Sequence, residues 1–358
     1  ILSAREWQQL NANVILLCDA KSMPFGLKQT CRNFSELLEK INKNFPADIN
    51  SHVKELVDIV STIEMTDLTQ VMNFNHQFKL MFNHVINNFL NSPYYAKLMT
   101  YSMDSVLEEL RSYKIKYKVN GKANKIYHSQ YDGNKLISID IKQANATFIF
   151  VYLSILIMYG QDLSEMGLGL ETQFDNFEDM CCHFNWSKFI RAQFVDAPDT
   201  SLSIGPYYEV MLNLFMQSKL LRELLMGVAL QKKGSSGKCL GTFYENLCYL
   251  FIYRLVELMQ SMIKKYQAKI LMISMDEIIV KGLDYDELMD FLKNDSFATE
   301  QDNLIARNYL RVEEFILKHY TTSDGKSFFA KHSTLGNPIC FKKLNPEYRL
   351  EALELVKK

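Results

Sequence analysis

The sequence predicts an α+β fold, and three observations support this prediction. Long stretches place apolar residues three and four positions apart, which is the period of an amphipathic helix. Two β-branched segments, 136–140 and 270–280, have the composition of buried strands. Two turn dipeptides, Asn120-Gly121 and Asp132-Gly133, precede the first strand. Helical runs that flank a few strands are typical of α+β proteins.

Composition excludes several classes of protein. The chain has 358 residues, of which 48% are hydrophobic, with only 14 Gly and 7 Pro. Disordered, collagen-like and low-complexity chains have skewed compositions, so we expect a folded chain with a large core. The 40 Lys and Arg residues balance 41 Asp and Glu residues, so the overall charge does not favour nucleic-acid binding. Any such argument depends on where the charges lie.

Cysteine usage predicts an intracellular, reducing compartment. The 7 Cys are an odd number, and they lack the paired short spacings of a zinc ribbon or a disulfide framework. The longest apolar run, 146–159, is about fourteen residues long, whereas a membrane span needs roughly 20. We therefore expect a buried helix there and no membrane partner.

The first hundred or so residues are predicted to be helical, and the character of the chain changes near Tyr113. From there Lys114-Ile-Lys-Tyr-Lys-Val alternates basic and apolar residues, which favours a β-rich stretch leading into the strand 136–140. That strand ends on Asp140. Helices with core-facing apolar residues are predicted at 34–41, 53–63 and 74–90.

Basic residues concentrate between Arg111 and Lys142. This segment has eight Lys and Arg residues against two Asp residues, a local excess of six positive charges. One interpretation is a solvated hairpin face. The other is a surface that tracks nucleic-acid phosphates, with Tyr113, Tyr117 and Tyr127 interleaved among the charges. The candidate nucleic-acid contacts are Lys114, Lys116, Lys118, Lys122 and Lys125.

The second half of the chain combines long helices with one acidic strand. The segment 161–199 is polar and Phe-rich with few helix or strand signals, and 231–238 is a flexible basic loop. The buried strand 269–280 is interrupted by Asp276 and Glu277. Helices are predicted at 146–159, at 208–230, where Lys219 and Arg222 lie one turn apart, and at 242–266.

The acidic residues at the strand ends are the candidate catalytic and metal-binding residues. An unpaired carboxylate among apolar residues is costly to bury, so Asp140, Asp276 and Glu277 require a cation or a metal as partner. If the strands of Asp140 and Asp276 are neighbours, their carboxylates can share divalent ions about 3.5–4 Å apart, as in two-metal phosphoryl transfer. Taken singly, each acid has a simpler interpretation as a turn residue or a salt-bridge partner.

The acidic segments resemble two motifs of the family A polymerases, those of the DNA polymerase I type. Residues 140–147, Asp-Ile-Lys-Gln-Ala-Asn-Ala-Thr, resemble motif A, which they match at Asp140 and Gln143. Residues 274–278, Ser-Met-Asp-Glu-Ile, resemble motif C.

Two further segments lie between these two in the chain, and all four follow the order of the corresponding motifs in the family. Residues 218–230 are similar to motif B of the fingers helix, with Arg222 at the position of its lysine. Leu240-Gly241-Thr242 resembles the start of the helix that precedes motif C, about 35 residues before Asp276. The four segments together cover roughly residues 130–285.

The resemblance implies a polymerase-like right hand with an antiparallel palm sheet, a helical thumb-like N-terminal region and shortened fingers. The fingers are expected to be short because only 19 positions separate Arg222 from Gly241, far fewer than in the family. The implied domains are a helical thumb-like region at 1–112, palm with motif A at 113–205, short fingers with motif B at 206–240, and palm with motif C and the C-terminal region at 241–358.

The resemblance also implies roles for single residues. Asp140 and Asp276 would hold two Mg²⁺ ions, with Mn²⁺ as the alternative, and Glu277 would support them near the primer end. Lys219 and Arg222 would contact the triphosphate of the incoming nucleotide, where negative charge develops in the transition state.

Three further positions would lie near the nucleotide: Gln143, Asn145 and Gly227. Gly227 would let a base pair approach the fingers helix closely. Asn145 stands where the family has a glutamate that screens the sugar 2′-position, so the resemblance does not decide between deoxyribo- and ribonucleotides. Other positions depart from the family as well, since Thr147, Leu230 and Met275 replace an arginine, a tyrosine and a histidine.

The leading hypothesis is a template-directed nucleotidyltransferase that extends a primer. Its partners would be primer-template nucleic acid, with DNA or RNA as template, nucleoside triphosphates, and proteins that supply processivity. The alternative, favoured by the substituted motif positions, is an inactive polymerase-derived subunit that binds nucleic acid or assembles with other proteins. A third hypothesis, a helical interaction domain with coincidental motifs, predicts that Asp140 and Asp276 lie far apart.

Overall fold

The structure is a computed structural model of the chain. Two of the predicted helices, 34–41 and 53–63, lie outside the residues that it describes, as do Lys118, Lys122 and Lys125. The described residues are 68–101, 103–117, 126–158, 160–195, 208–217, 219–231, 233, 237, 239–294, 296–334, 340–344 and 348–357.

Helices make up most of the described chain. A π-helix, Thr147–Tyr152, continues α4 into α5, and short 3₁₀ helices span Ser129–Tyr131 and Leu163–Met166. The α-helices are α1 (Leu68–Asn91), α2 (Pro93–Thr100), α3 (Asp104–Lys116), α4 (Ala144–Ala146), α5 (Leu153–Met158), α6 (Phe177–His183), α7 (Trp186–Val195), α8 (Tyr208–Gln217), α9 (Lys219–Gln231), α10 (Leu240–Leu258), α11 (Gln260–Lys265), α12 (Tyr285–Lys293), α13 (Glu300–Tyr309) and α14 (Arg349–Lys357).

Six described strands form one sheet in the order β2-β3-β1-β4-β5-β6, and every neighbouring pair is antiparallel. The predicted α+β class is therefore confirmed. The strands are β1 (Lys135–Ile141), β2 (Lys269–Ile273), β3 (Glu277–Lys281), β4 (Leu310–Thr321), β5 (Ser327–Ser333) and β6 (Cys340–Lys342).

Several predicted elements are present. The helix 74–90 lies within α1, the strand 136–140 lies within β1, and the acidic strand 269–280 is the hairpin of β2 and β3. The predicted helix 146–159 is helical from Ala146 to Met158, and Phe148 and Phe150 in it are fully shielded from solvent. None of the described helices has the length and apolar character needed to cross a membrane.

Other boundaries differ from the prediction. The β-rich stretch expected from Tyr113 is wrong at its start, because α3 continues to Lys116. Tyr113 and Tyr117 lie one helical turn apart and stack with Tyr253 of α10, with centroid distances of 6.2 and 6.3 Å, so helix packing decides the local structure. The predicted helix 242–266 is divided into α10 and α11 at Met259.

The segment 161–199, expected to have few regular elements, contains α6 and α7. Each begins after an asparagine whose side-chain oxygen accepts a backbone N–H. Asn176 accepts from Asp179 at 2.8 Å, and Asn185 accepts from Ser187 at 2.8 Å. Such N-caps stabilise a helix start by about 1 kcal/mol, and they are the sequence signal that would have identified both helices.

The chain divides into two compact units, one within Ile1–Thr100 and Gly160–Leu240, the other within Tyr101–Tyr159 and Gly241–Lys358. In the first unit, α1 packs against α7, α8 and α9. The second unit contains the whole sheet together with α3, α10 and the buried π-helix. There Phe251 of α10 packs against Phe148 and Phe297, with ring centroids 5.9 and 5.3 Å apart.

A methyl group at Gly167 should destabilise the first unit. Gly167 has a φ of +59°, and a Cβ atom there would lie 2.5 Å from Cδ of Pro93, whose ring cannot rotate away. We expect Gly167→Ala to lower the free energy of unfolding by about 2–3 kcal/mol, measured by urea denaturation. Gly160→Ala is the control, because its φ is +79° but no described atom would meet the new Cβ within 4 Å. It should cost about 1 kcal/mol, and equal losses in both variants would contradict the proposed clash.

Candidate active site

The sheet brings the predicted acids together. Asp140 on β1 lies directly opposite Glu277 on β3 and directly opposite Arg311 on β4. Directly paired residues point to the same face of a sheet, so the three side chains share one face. The charge of Asp276 also acts on Asp140. The prediction that Asp140 and Asp276 lie far apart, which the third hypothesis made, is therefore wrong.

Backbone hydrogen bonds hold the acids in place. The amide of Ser274 donates to the carbonyl of Glu277 at 2.8 Å and closes the turn between β2 and β3, which carries Asp276. The amide of Ile141 donates to the carbonyl of Asp276 at 2.9 Å, and the amide of Lys142 donates to the carbonyl of Tyr309 at 2.7 Å. The end of β1 is thereby tied to the acidic turn on one side and to the end of α13 on the other.

Each paired acid has its own cation. Nη2 of Arg311 lies 2.7 Å from Oδ2 of Asp140. Nζ of Lys331 lies 3.4 Å from Oε1 of Glu277, and the hydroxyl of Ser138 donates to the same oxygen at 2.6 Å. The two cations differ in exposure, since the side chain of Arg311 is 63% exposed and that of Lys331 only 11%.

Burial raises the pKa of Asp140 above its usual value. Desolvation is the main cause, and the charges of Asp276 and Glu277 act in the same direction, while Arg311 acts against them. A desolvated carboxylate beside two other acids favours binding of a positive charge.

The raised pKa predicts how the stability of Asp140→Asn depends on pH. Because the folded chain binds the Asp140 proton more tightly than the unfolded chain, ionisation of Asp140 opposes folding. This penalty is complete at neutral pH and disappears as the pH falls below the ordinary aspartate pKa of about 4. We therefore expect Asp140→Asn to melt at a higher temperature than the wild type at pH 7, with the difference vanishing near pH 4. A variant less stable than the wild type at pH 7 would contradict the argument.

Helix α10 lies beside the acidic turn. Desolvation raises the pKa of Tyr244, and the charges of Cys248 and Asp276 raise it further. Desolvation also raises the pKa of Tyr249, to which Glu245 and then Asp276 contribute. Tyr244 and Tyr249 of α10 are therefore within reach of the charge of Asp276, which the sequence did not indicate.

The remaining motif A positions form the turn after β1. Gln143 is exposed and left-handed, with a φ of 48°, and Asn145 is half-buried in α4. Thr147, at the family's arginine position, is buried, and its hydroxyl donates to the carbonyl of Lys142 at 2.7 Å. Thr147 thus stabilises the sharp entry into the π-helix, while Gln143 and Asn145 follow Asp140 closely in the chain.

Residues 219–230, from the segment that resembles motif B, lie on α9, which belongs to the first unit, whereas the acids belong to the second. Lys219 and Arg222 occupy the first turn of this helix, three positions apart. Gly227 lies in the helix interior, and no described atom outside the helix backbone would meet a Cβ there within 4 Å. The nucleotide-binding roles of these three residues stay predictions.

The basic segment is only partly as predicted. Lys114 and Lys116 are exposed on the last turn of α3, and Nζ of Lys114 lies 5.1 Å from the ring centre of Tyr249. Lys116 forms an ion pair with Glu257 at 2.6 Å, which neutralises part of the expected positive charge. Tyr127 is buried in a small core on the sheet with Leu136, Phe315 and other residues, so its proposed place on the binding surface is wrong.

The acids supply oxygen donors of the kind that binds magnesium. Carboxylate oxygens are the ligands that Mg²⁺ prefers, and Mg²⁺ is often bound by only one or two carboxylates together with substrate phosphates. Asp140 and Asp276 supply two such carboxylates. Within the described part of the chain, no three His, Cys, Asp or Glu side chains are grouped as a closed metal cage would group them.

Comparison with protein-family models, with curated proteins and with solved structures found no match for this chain. The site itself combines acids on neighbouring strands with two cations of unequal exposure.

Proposed function

We propose that the chain is a template-directed nucleotidyltransferase that extends a primer 3′-hydroxyl with nucleoside triphosphates. The observation that supports this proposal is the pairing of the motif A strand with the motif C hairpin, which puts Asp140 opposite Glu277 and next to the turn of Asp276. A palm sheet requires this pairing, and neither segment encodes it locally. In this proposal the sheet is the palm of a polymerase-like right hand.

The residues have distinct tasks in the reaction. Asp140 and Asp276 would hold two Mg²⁺ or Mn²⁺ ions, which supply activation of the 3′-hydroxyl and neutralisation of the triphosphate when bound. The primer 3′-hydroxyl would lose its proton to solvent, and its oxygen would form a bond to the α-phosphorus. The bond from that phosphorus to the oxygen that bridges the α- and β-phosphates would break, and pyrophosphate would leave. Glu277 is held by Ser138 and Lys331, so we assign it to the positioning of the primer end.

The motif B residues complete the proposal. Lys219 and Arg222 would bind the triphosphate, and Gln143 and Asn145 would contact the nucleotide. Lys114 and Lys116 would bind the phosphates of the nucleic acid, since exposed lysines beside aromatic rings are common in such surfaces.

Template-directed incorporation tests the proposal. The full chain is given a labelled primer on four templates that differ only in the first single-stranded base, with one nucleoside triphosphate at a time and Mg²⁺ or Mn²⁺. We expect extension only when the nucleotide complements the template base. The chain carrying both Asp140→Ala and Asp276→Ala is the control for contaminating polymerase. Extension by this control at the wild-type rate, or no extension by the wild type with either metal, would rule the proposal out.

A second candidate function has its own supporting observation. Arg311 and Lys331 already neutralise Asp140 and Glu277, and such pairing can satisfy buried acids in a chain that has lost metal binding. The chain would then be a polymerase-derived subunit that binds nucleic acid or other proteins. This second function predicts that binding of the wild-type chain slows the migration of a labelled primer-template in a gel, and that the chain incorporates no nucleotide.

Gly227→Ala separates a structural from a functional role of this glycine. Glycine inside a helix costs about 1 kcal/mol relative to alanine, and space for a methyl group is present. We expect the variant to be more stable by roughly 0.5–1 kcal/mol in urea denaturation and yet slower in primer extension, because a base pair must approach the helix. Ala229→Gly in the same helix is the control, since it should only destabilise. Unchanged extension by Gly227→Ala would contradict the assigned role.

A further inference from the structure

We propose that Arg311 is an exchangeable cation that occupies the Asp140 carboxylate in the unliganded chain and competes there with the divalent ion. This inference rests on the proposed function, because it concerns the same carboxylate. It adds Arg311, a residue outside every motif segment, and it assigns to this residue control over metal affinity.

The pairing of β1 with β4 places the guanidinium group on the carboxylate. Arg311 is the direct cross-strand neighbour of Asp140, and its Nη2 atom lies 2.7 Å from Oδ2. A charged hydrogen bond of this length occupies one lone pair of the carboxylate and places a positive charge beside it. The guanidinium and a divalent ion therefore repel each other at this carboxylate, and each lowers the affinity of the other.

Exposure distinguishes Arg311 from the second cation of the site. The side chain of Arg311 is 63% exposed, so it can return to water at little cost when it leaves Asp140. Lys331 is 11% exposed, lies 4.6 Å from the ring centre of Phe315 and shares Glu277 with Ser138. Removing Lys331 from Glu277 would strand a charge in an apolar setting. Lys331 is therefore a fixed partner and Arg311 a replaceable one.

In the proposed reaction, the guanidinium group that leaves Asp140 can bind the triphosphate of the incoming nucleotide. Arginine binds phosphate oxygens with two parallel hydrogen bonds, and the triphosphate would arrive together with the metal. Arg311 would thus exchange a carboxylate for a polyphosphate as the site fills. Asp140 and Glu277 stay paired with cations in the meantime, which limits their repulsion of each other and of Asp276.

Binding of Mn²⁺ alone tests the competition without any turnover. Mn²⁺ is titrated into the full chain, and the free ion is measured by electron paramagnetic resonance. We expect Arg311→Gln to bind Mn²⁺ about five- to tenfold more tightly than the wild type, because a competing charge is removed. Arg311→Lys keeps the charge and should stay close to the wild type. Adding Asp140→Asn to Arg311→Gln should abolish the gain.

The matched control is Arg307→Gln. Arg307 on α13 is paired with Glu300 at 2.7 Å, so the variant makes the same change in net charge and breaks a similar ion pair. Its Mn²⁺ affinity should equal that of the wild type. If Arg311→Gln binds no more tightly than Arg307→Gln while the wild type binds Mn²⁺, the competition is refuted and the proposed function stands. If neither the wild type nor Arg311→Gln binds Mn²⁺, both the competition and the metal-dependent function are refuted.

Discussion

Asp140→Asn and Asp276→Asn should each lower the rate of nucleotide incorporation by about 10³-fold or more, equivalent to roughly 4 kcal/mol of transition-state stabilisation. The amide keeps the shape of the side chain but removes the negative charge that would hold a divalent ion. Both positions carry a backbone framework that does not depend on the carboxylate, because the hydrogen bonds at Ile141 and Ser274 involve main-chain atoms. The loss should therefore appear in activity and leave the fold intact.

Single-turnover primer extension at saturating nucleotide measures this effect most directly. Asp290→Asn is the matched control, since Asp290 is an exposed acid on α12 and its loss changes the net charge equally. Far-ultraviolet circular dichroism verifies that all the variants are folded. An incorporation rate within tenfold of the wild type in either site variant would remove that acid from the assigned metal site.

The three acids could be predicted from the sequence because they stand within apolar strand segments, where a carboxylate is costly to bury. A carboxylate that ends a strand of Leu, Ile and Ser, or that divides an apolar strand, is costly unless it has a partner. The cost of burial singled out Asp140, Asp276 and Glu277, and a shared site required their strands to be neighbours. The antiparallel pairing of β1 with β3 meets that condition.

The partners of these acids could not be predicted in the same way. Arg311 lies 171 positions from Asp140 in the chain, and Lys331 lies 54 positions from Glu277. Their contacts depend on the register of β1 with β4 and of β4 with β5. A shift of either register by one residue would turn these side chains to the opposite face of the sheet. No local pattern around Arg311 distinguishes it from any other charged residue at the start of a strand.

Local patterns were misleading where helix packing outweighs them. The alternation of lysine with apolar residues after Tyr113 is typical of a strand, yet the four-residue spacing of Tyr113 and Tyr117 also fits one face of a helix. Stacking on Tyr253 stabilises the helical conformation of this segment, and the ring planes of Tyr113 and Tyr117 lie 6° and 20° from parallel to that of Tyr253. Tertiary contacts of this kind decide segments whose intrinsic preferences are weak.

An ion network around the buried Asp302 should contribute strongly to the stability of the second unit. Arg254 of α10 donates to both carboxylate oxygens of Glu109 on α3, at 2.9 and 2.7 Å, and to Asp302 on α13 at 2.9 Å. Asp302 is 1% exposed and also accepts hydrogen bonds from the hydroxyls of Tyr152 and Thr299. One guanidinium group thus connects three helices and balances a carboxylate that is almost completely removed from water.

Arg254→Met should lower the free energy of unfolding by about 3–5 kcal/mol, because it leaves Asp302 charged and buried without its cation. Urea denaturation measures the loss. Lys265→Met is the control, since it breaks an exposed pair with Glu287 and should cost less than about 1 kcal/mol.

Adding Asp302→Asn to Arg254→Met separates the stranded charge from lost packing. The neutral amide can still accept the hydrogen bond of Tyr152, while the cost of the uncompensated charge disappears. We therefore expect the double variant to recover more than half of the stability that Arg254→Met loses. The double variant could instead be no more stable than Arg254→Met alone. The loss of stability would then come from the apolar packing of the arginine stem along α10 and α3, and not from the unbalanced charge of Asp302.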